Sequence, residues 1–491
     1  MTGKSVVVVG AGFGGLTAAS MLARQGFRVT VLEKNEMPGG RARVWEKDGF
    51  TFDMGPSWYL MPEVFESFFS QFDRDLEDYY QLVKLDPFYR VFFSPREVVD
   101  INSDAAHNKE VFAGFEEKGE ERLTDYLAMA KYKYDTAMKE FMYVHYHSVK
   151  QFMNRRMVTE GLKLNLLSPL DAHVKKYFQD RRARQILEYA MVFLGNSPYN
   201  APALYSLMSH VDFNLGVWYP WGGMGKVARA FERLALEMGV EIHYNTPAAE
   251  ILLKGNRVVG VSTAGGDFPA DAVLVNADYP HAETELLPRQ NQTYPRAYWQ
   301  KKVVAPSMLL AYLGVGKRID RLAHHNLYFT EVWDHHFRQI FDRPAWPEEP
   351  CYYVGCPSRT DSTVAPRGCE NIFFLIPLAA GLPDSPDIRE KAFAGAMDHF
   401  EELVGESIRD SLIVKRLYSL EDFSRDYNAY RGTALGLAHT LKQTAVYRPA
   451  HKSRKLQNLY YTGQYNHPGV GVPMVIISSQ VVTDLMGKDL T

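Results

Sequence analysis

Residues 6–9 are four consecutive valines, an unbroken apolar run of the kind a strand buried on both faces requires. Helical spacing follows from Leu16 to Gln25, Gly26 ends it, and a second apolar run occupies Val29 to Leu32. Strand, helix and strand in this order predict the opening of a parallel sheet. The alternation returns further on. A helical stretch covers Lys226 to Met238, and Val240 to Tyr244 alternates like a strand. Val258 to Ser262 follows a Gly-Asn turn, and an apolar strand and turn lie within Asp271 to Asp278. Met308 to Val315 and Ile372 to Pro377 read as strands among helices, 96–215 reads as largely helical, and Val475 to Met486 as a closing helix. The pattern predicts an α/β fold: a Rossmann-like domain in three pieces (1–85, 216–290 and 445–491) with an inserted mixed α+β substrate domain (86–130 with 291–444). A helical segment, 131–215, is the third part and a candidate for membrane contact.

Composition narrows the function. The chain has 491 residues, 46% apolar and 23% charged, with a formal net charge of −3. No basic footprint for nucleic acid is present. Cys351, Cys356 and Cys369 fit neither a disulfide framework nor a usual zinc spacing, so a reduced chain without a metal site is expected. The first strand begins within a few residues of Met1, which leaves no room for a signal peptide. No apolar run is long enough to span a bilayer. A cytoplasmic protein, peripheral on the membrane, is the expectation.

The strongest local chemistry is Gly10-Ala11-Gly12-Phe13-Gly14-Gly15, a G-x-G-x-x-G between the first strand and helix. Gly10 permits the tight turn, Gly12 lets the backbone approach a pyrophosphate, and Gly15 lets helix and strand pack closely. The helix N-terminus offers N–H groups to phosphate. Glu33, followed by Lys34, ends the second strand where an acid accepts ribose hydroxyls, which argues for FAD or NAD over NADP. Gly39-Gly40-Arg41-Ala42-Arg43 supplies a close-approach turn and two guanidiniums for phosphate charge. A solvated Pro-Gly loop has the same composition. Residues 49–57, containing Met54-Gly55-Pro56, read as a strand entering a turn or as a plain hairpin.

From Val6 to Ser57 the chain resembles the flavoprotein superfamily of amine oxidases, protoporphyrinogen oxidases and carotenoid desaturases. Later segments resemble bacterial and fungal phytoene desaturases: Asp86 to Arg90, Leu322 to His325, Pro357 to Pro366, Tyr447-Arg448-Pro449, Leu459 to Gly463 and His467 to Pro473. The resemblance implies FAD, with Glu33 on the adenosine ribose, Arg41 near the phosphates and Met54-Gly55-Pro56 near the flavin ring. Gly463, Val472, Pro473 and Met474 would return the chain to that ring, and Ala248 would meet the adenine through its backbone. Asn466, Gln464-Tyr465 and Met474 depart from the family pattern where flavin meets substrate.

The implied activity is carotenoid desaturation, on phytoene or a later intermediate. A cis–trans carotenoid isomerase, or a prenyl-lipid escort protein that does not use flavin, are the alternatives on this scaffold. No second G-x-G-x-x-G appears, so electrons are expected to pass to oxygen or a quinone. Between Met191 and Gly225 the one charged side chain is Asp212, amid seven aromatics, which reads as a buried core segment or an apolar tunnel wall. Asp212 and His210 are the candidates for proton handling. Lys175-Lys176 and Arg181-Arg182-Ala183-Arg184, interleaved with apolar residues, read as a solvated helix face or a membrane-facing one. Phe65, Phe68, Phe69 and Phe72 share one helical face, for core or membrane.

Overall fold

The computed structural model describes residues 3–146 and 168–490. The four valines sit in the central strand of a five-stranded sheet, which explains their burial on both faces. The order is Leu459–Tyr461, Ala272–Val275, Ser5–Val9, Arg28–Leu32, Glu241–His243, and every pairing is parallel. Three distant parts of the chain therefore build one sheet. Helix Phe13–Arg24 packs against the closing helix, Val472–Leu490, and against Met224–Glu237. Asp53 fixes the last of these by accepting the Met224 and Gly225 N–H groups at 2.7 and 2.9 Å. Ala248–Lys254, Arg257–Thr263 and Gly266–Pro269 form a small antiparallel sheet beside it.

A second large sheet has seven strands, in the order Leu412–Tyr418, Ser307–Val315, Glu370–Leu378, Tyr352–Gly355, His325–Tyr328, Tyr89–Ser94, Glu97–Ile101. It is antiparallel except where His325–Tyr328 runs parallel to Tyr89–Ser94. Ser307–Val315 is buried along its whole length, so both faces of this sheet are covered. The α/β class with a parallel sheet and a separate mixed sheet stands as expected.

Two expectations change, and a third feature fits the first of its two readings. Glu97–Ile101, inside the stretch read as helical, is an edge strand. The division at 130 falls inside the continuous helix Gly119–Ala137. The basic segment turns its apolar side inward: Val174, Phe178, Ile186 and Leu187 are buried. Its cations pair with Asp171, Glu331 and Asp180, at 2.8 Å (Lys175), 3.2 Å (Arg181) and 2.7 Å (Arg182). The apolar side of this segment faces the core; part of the 131–215 expectation, 147–167, lies outside the described residues. Phe65, Phe68, Phe69 and Phe72 are likewise core, with Phe68 stacked on Phe231 at 4.9 Å. Among the described residues, no helix is long and apolar enough to cross a membrane.

Candidate active site

One cavity of about 780 Å³ runs between the two large sheets. Its first end is the glycine turn. Gly10 stands at φ +102°, a conformation that L side chains rarely adopt. A Cβ on Gly15 would lie 1.9 Å from the Gly10 carbonyl oxygen, so helix and turn close only around glycine. Gly10, Gly12, Phe13 and Gly14 line the cavity, whereas Ala11 and Gly15 lie behind it.

Glu33 lines the same end and is buried. Its carboxylate accepts the Ala11 N–H at 2.7 Å and the Asn35 N–H at 2.8 Å, which ties the second strand to the glycine turn. Burial raises its pKa, and the two backbone donors act against that rise. Each oxygen keeps a lone pair for a ligand hydroxyl. Lys34 lines the cavity near its base, but its ammonium turns away to the Arg425 carbonyl at 2.7 Å.

Gly40, Arg41, Gly55, Pro56 and Ala248 continue the lining. Arg41 Nε and Nη2 are buried without a hydrogen-bond partner among the described residues, and its guanidinium stands over Tyr427 at 5.3 Å. Unsatisfied buried guanidinium donors call for acceptors such as phosphate oxygens. Arg43 does otherwise: it is buried away from the cavity and pairs with Asp426 at 2.8 Å and Glu36 at 3.3 Å. Its expected phosphate role is corrected to a brace. Met54 is also off the cavity; its carbonyl accepts the Tyr312 hydroxyl at 2.9 Å.

The closing motif meets this end from the other side. Gly463, Val472, Pro473 and Met474 line the cavity, and the last helix begins at Val472, three residues before the expected start. Its N-terminus adds a partial positive charge there. Asp278 lines the wall, accepts the Tyr465 hydroxyl at 2.8 Å, and is pushed up to about 6 by burial, with Arg41 opposing the shift.

The far arm is apolar. Phe141, Met142, Phe193, Leu204, Met208 and Leu310 are among its walls. The 191–225 stretch thus supplies part of a tunnel wall, while Tyr199, Phe213, Tyr219 and Trp221 lie elsewhere. Among the described residues, the acids that line the cavity, Glu33, Asp278 and Asp426, all belong to the glycine-turn end.

Neither proton-handling candidate reaches the cavity. Asp212 is buried one layer back, accepting hydroxyls from Tyr89 at 2.8 Å and Tyr189 at 3.0 Å, with both rings packed against the cavity-lining Trp58. Burial pushes its carboxyl up to about 7. His210 pairs with the Asn214 amide at 2.6 Å and packs against Tyr134. Both expectations are corrected to core roles.

The polar groups that do face the arm were not foreseen. His439 Nε2 accepts the Val470 N–H at 3.1 Å, so the neutral ring carries its proton on Nδ1 and donates to the Tyr205 hydroxyl at 2.5 Å. His467 meets the Phe141 and Met142 carbonyls through Nε2, at 2.9 and 3.1 Å, joining the closing motif to the arm. Burial drives both imidazoles below the ordinary value, His467 to about 4. The His-Pro-Gly motif was the available signal for His467, and the aromatic stretch read as a possible tunnel wall contained Tyr205; nothing near His439 distinguished it.

The family described as flavin-containing amine oxidoreductase matches residues 13–484. A carotenoid 3,4-desaturase of Haloarcula japonica is 43% identical over 491 residues, covering all of this chain and 99% of that protein. A zeta-carotene-forming phytoene desaturase of Myxococcus xanthus is 36% identical over 490 residues, 98% of this chain and 93% of that one. Among solved structures, an oxidoreductase from Methanosarcina mazei superposes with a TM-score of 0.64 at 16% identity, over 98% of this chain and 99% of the other.

Proposed function

The chain belongs to the flavin-containing amine oxidoreductase family, and from that premise we propose that it desaturates an acyclic carotenoid using FAD, with a later, partly conjugated intermediate favoured over phytoene. The observation that carries this reading is the junction, in one cavity, of a nucleotide-type glycine turn with an apolar arm free, among the described residues, of lining carboxylates. The fuller likeness to a 3,4-desaturase than to a phytoene desaturase supports the later substrate.

The residues present fit FAD. The glycine turn and two helix N-termini suit the pyrophosphate and the flavin, the orphaned Arg41 donors suit phosphate oxygens, and Glu33 keeps lone pairs for the ribose. Ala248, Gly463, Val472, Pro473 and Met474 would complete the cradle. Bound FAD supplies the acceptor for a hydride equivalent from an allylic carbon. The arm's walls hold the polyene and exclude water. Among the described residues, no carboxylate lines the arm to pair with a substrate ammonium, which disfavours an amine. The neighbouring carbon then loses a proton. An allylic cation is a strong acid, so neutral acceptors such as the Tyr205 hydroxyl, His467 Nδ1 or water suffice.

We also propose oxygen or a quinone as the final acceptor, and a lipid surface at the cavity mouth. Leu441 and Tyr447 line the cavity yet are 44% and 54% exposed, with Lys442 between them. Val303, 44% exposed, is tied to that turn through its N–H to Gln443 at 2.9 Å. Apolar and basic groups around an entrance suit extraction of a substrate dissolved in lipid.

Incubation of the flavin-loaded protein with phytoene or a later carotenoid in liposomes, under air and then anaerobically with a quinone, tests the reading. New long-wavelength absorbance bands are expected with the later carotenoid. Isomer changes without added conjugation would replace desaturation by isomerisation, and a protein that takes up no FAD would point to an escort.

A further inference from the structure

Arg448 is a buried cation without a carboxylate. It is 5% exposed, and its guanidinium donates to four backbone carbonyls: Gln443 at 3.0 Å, Gln464 at 2.6 Å, Tyr465 at 3.2 Å and Asn466 at 3.0 Å. By contrast, Arg43 is paired with Asp426, and Arg389 with Asp384 and Asp422. Arg448 forms no ion pair among the described residues; the groups facing its charge are the hydroxyls of Tyr205, Tyr298 and Tyr465. Burying an unpaired charge is costly, and a loop brace needs donors but no charge.

The charge lies against the closing motif. Three of the four carbonyls it grips belong to Gln464, Tyr465 and Asn466, the first two of which line the cavity, and the fourth to Gln443. A Cβ on Gly469 would stand 3.2 Å from the guanidinium carbon. Its field helps keep His439 and His467 neutral, so it reaches groups on the cavity wall. The N-terminus of helix Val472–Leu490 adds charge of the same sign. The nearest cavity carboxylate, Asp278, is countered by Arg41.

We propose that Arg448 is a positioning residue for redox chemistry: acting through the 464–466 loop, its fixed charge raises the electron affinity of the bound flavin and favours the anionic reduced form. This rests on the reading of the cavity as a flavin site and is independent of the substrate.

Arg448→Gln and Arg448→Lys test it, read by FAD content, affinity for sulfite (whose adduct places negative charge on the flavin ring) and reduction potential. The Gln variant keeps an amide donor and loses the charge; the Lys variant loses the fork and keeps the charge. Sulfite affinity is expected to fall about tenfold or more in the Gln variant, with a lowered potential, and to stay near wild type in the Lys variant. Equal losses in both variants, or none in the Gln variant, would reduce Arg448 to a brace and overturn the proposal. Should neither variant retain flavin, the wild type decides: sulfite affinity no greater than that of free FAD, with a neutral reduced flavin in mildly acidic buffer, overturns it. A wild-type chain that takes up no flavin overturns this proposal together with the flavin reading. A flavin-loaded chain inert toward carotenoids removes only the substrate reading.

Discussion

Asp212 carries a pH signature that follows from its burial. Its folded pKa is raised from 3.8 to about 7, so the folded state holds a proton that the unfolded chain releases earlier. The contribution to stability is fully present below the ordinary value and is lost as pH rises towards about 7. Asp212→Asn keeps an oxygen acceptor for Tyr89 and Tyr189 and removes the ionisation. The variant should lose less thermal stability than wild type as pH rises through that window, with flavin content and turnover unchanged. Unfolding midpoints across pH check the first part; a turnover loss of about tenfold or more would restore a chemical role. At the glycine turn, Gly12→Val is expected to abolish FAD binding by blocking backbone approach, read by cofactor stoichiometry. Gly15→Ala, whose Cβ would lie 1.9 Å from the Gly10 oxygen, should cost both flavin and stability. The glycines and Glu33 were legible because a fixed local geometry demands those residue types. The pairing of Tyr205 with His439 was not, because 234 positions separate two side chains that only the tertiary fold brings to 2.5 Å.

Helix Pro62–Ser70 shows what periodicity can and cannot tell. Its phenylalanines marked one apolar face, but the spacing is silent on whether protein or lipid covers that face. Packing against Phe231 settles the matter, and Phe68→Ala should destabilise the fold by about 3–5 kcal/mol without changing vesicle binding. Chemical denaturation and liposome co-sedimentation separate the two effects. The basic helix Arg181–Glu188 misleads for the same reason: its cations find Glu331, Glu97 and Asp180, acids remote or adjacent in sequence that a charge run does not reveal. Strand positions were more legible than helix ends. Ser307–Val315 and Glu370–Leu378 differ from their expected bounds by one or two residues, since buried strands are set by apolar run length. Helix starts such as Phe13 and Val472 came earlier than apolar spacing alone implied, because glycine- and proline-bearing turns enter the first turn of each.

For the molecule as a whole, the mouth of the cavity is the place where protein and lipid would meet. Leu441→Asp with Tyr447→Asp should weaken co-sedimentation with liposomes and slow uptake of carotenoid from them, while activity on detergent-dispersed substrate is retained. Arg181→Glu should leave vesicle binding unchanged; a loss there with none at the mouth would move the contact back to the basic helix. The three-piece assembly of the parallel sheet was readable from its repeated strand–helix pattern, whereas the seven-stranded order was not, because strands drawn from 89–101 and 307–418, joined by a parallel pair, leave no mark of their pairing in local spacing.

That assembly sets a timetable for synthesis. Ser5–Val9 leaves the ribosome first, yet its partner Ala272–Val275 follows more than half a chain later, and Leu459–Tyr461 completes the sheet near the end. The glycine turn must wait for Val472–Leu490 before its cavity has a second wall. The nascent chain therefore pairs one edge of its most apolar strand early, with Arg28–Leu32, but leaves the other edge open through half of translation, where it is exposed to aggregation and to capture by chaperones. Flavin capture can only be a late step, and truncations that remove the closing helix should yield apoprotein prone to proteolysis rather than a smaller working enzyme.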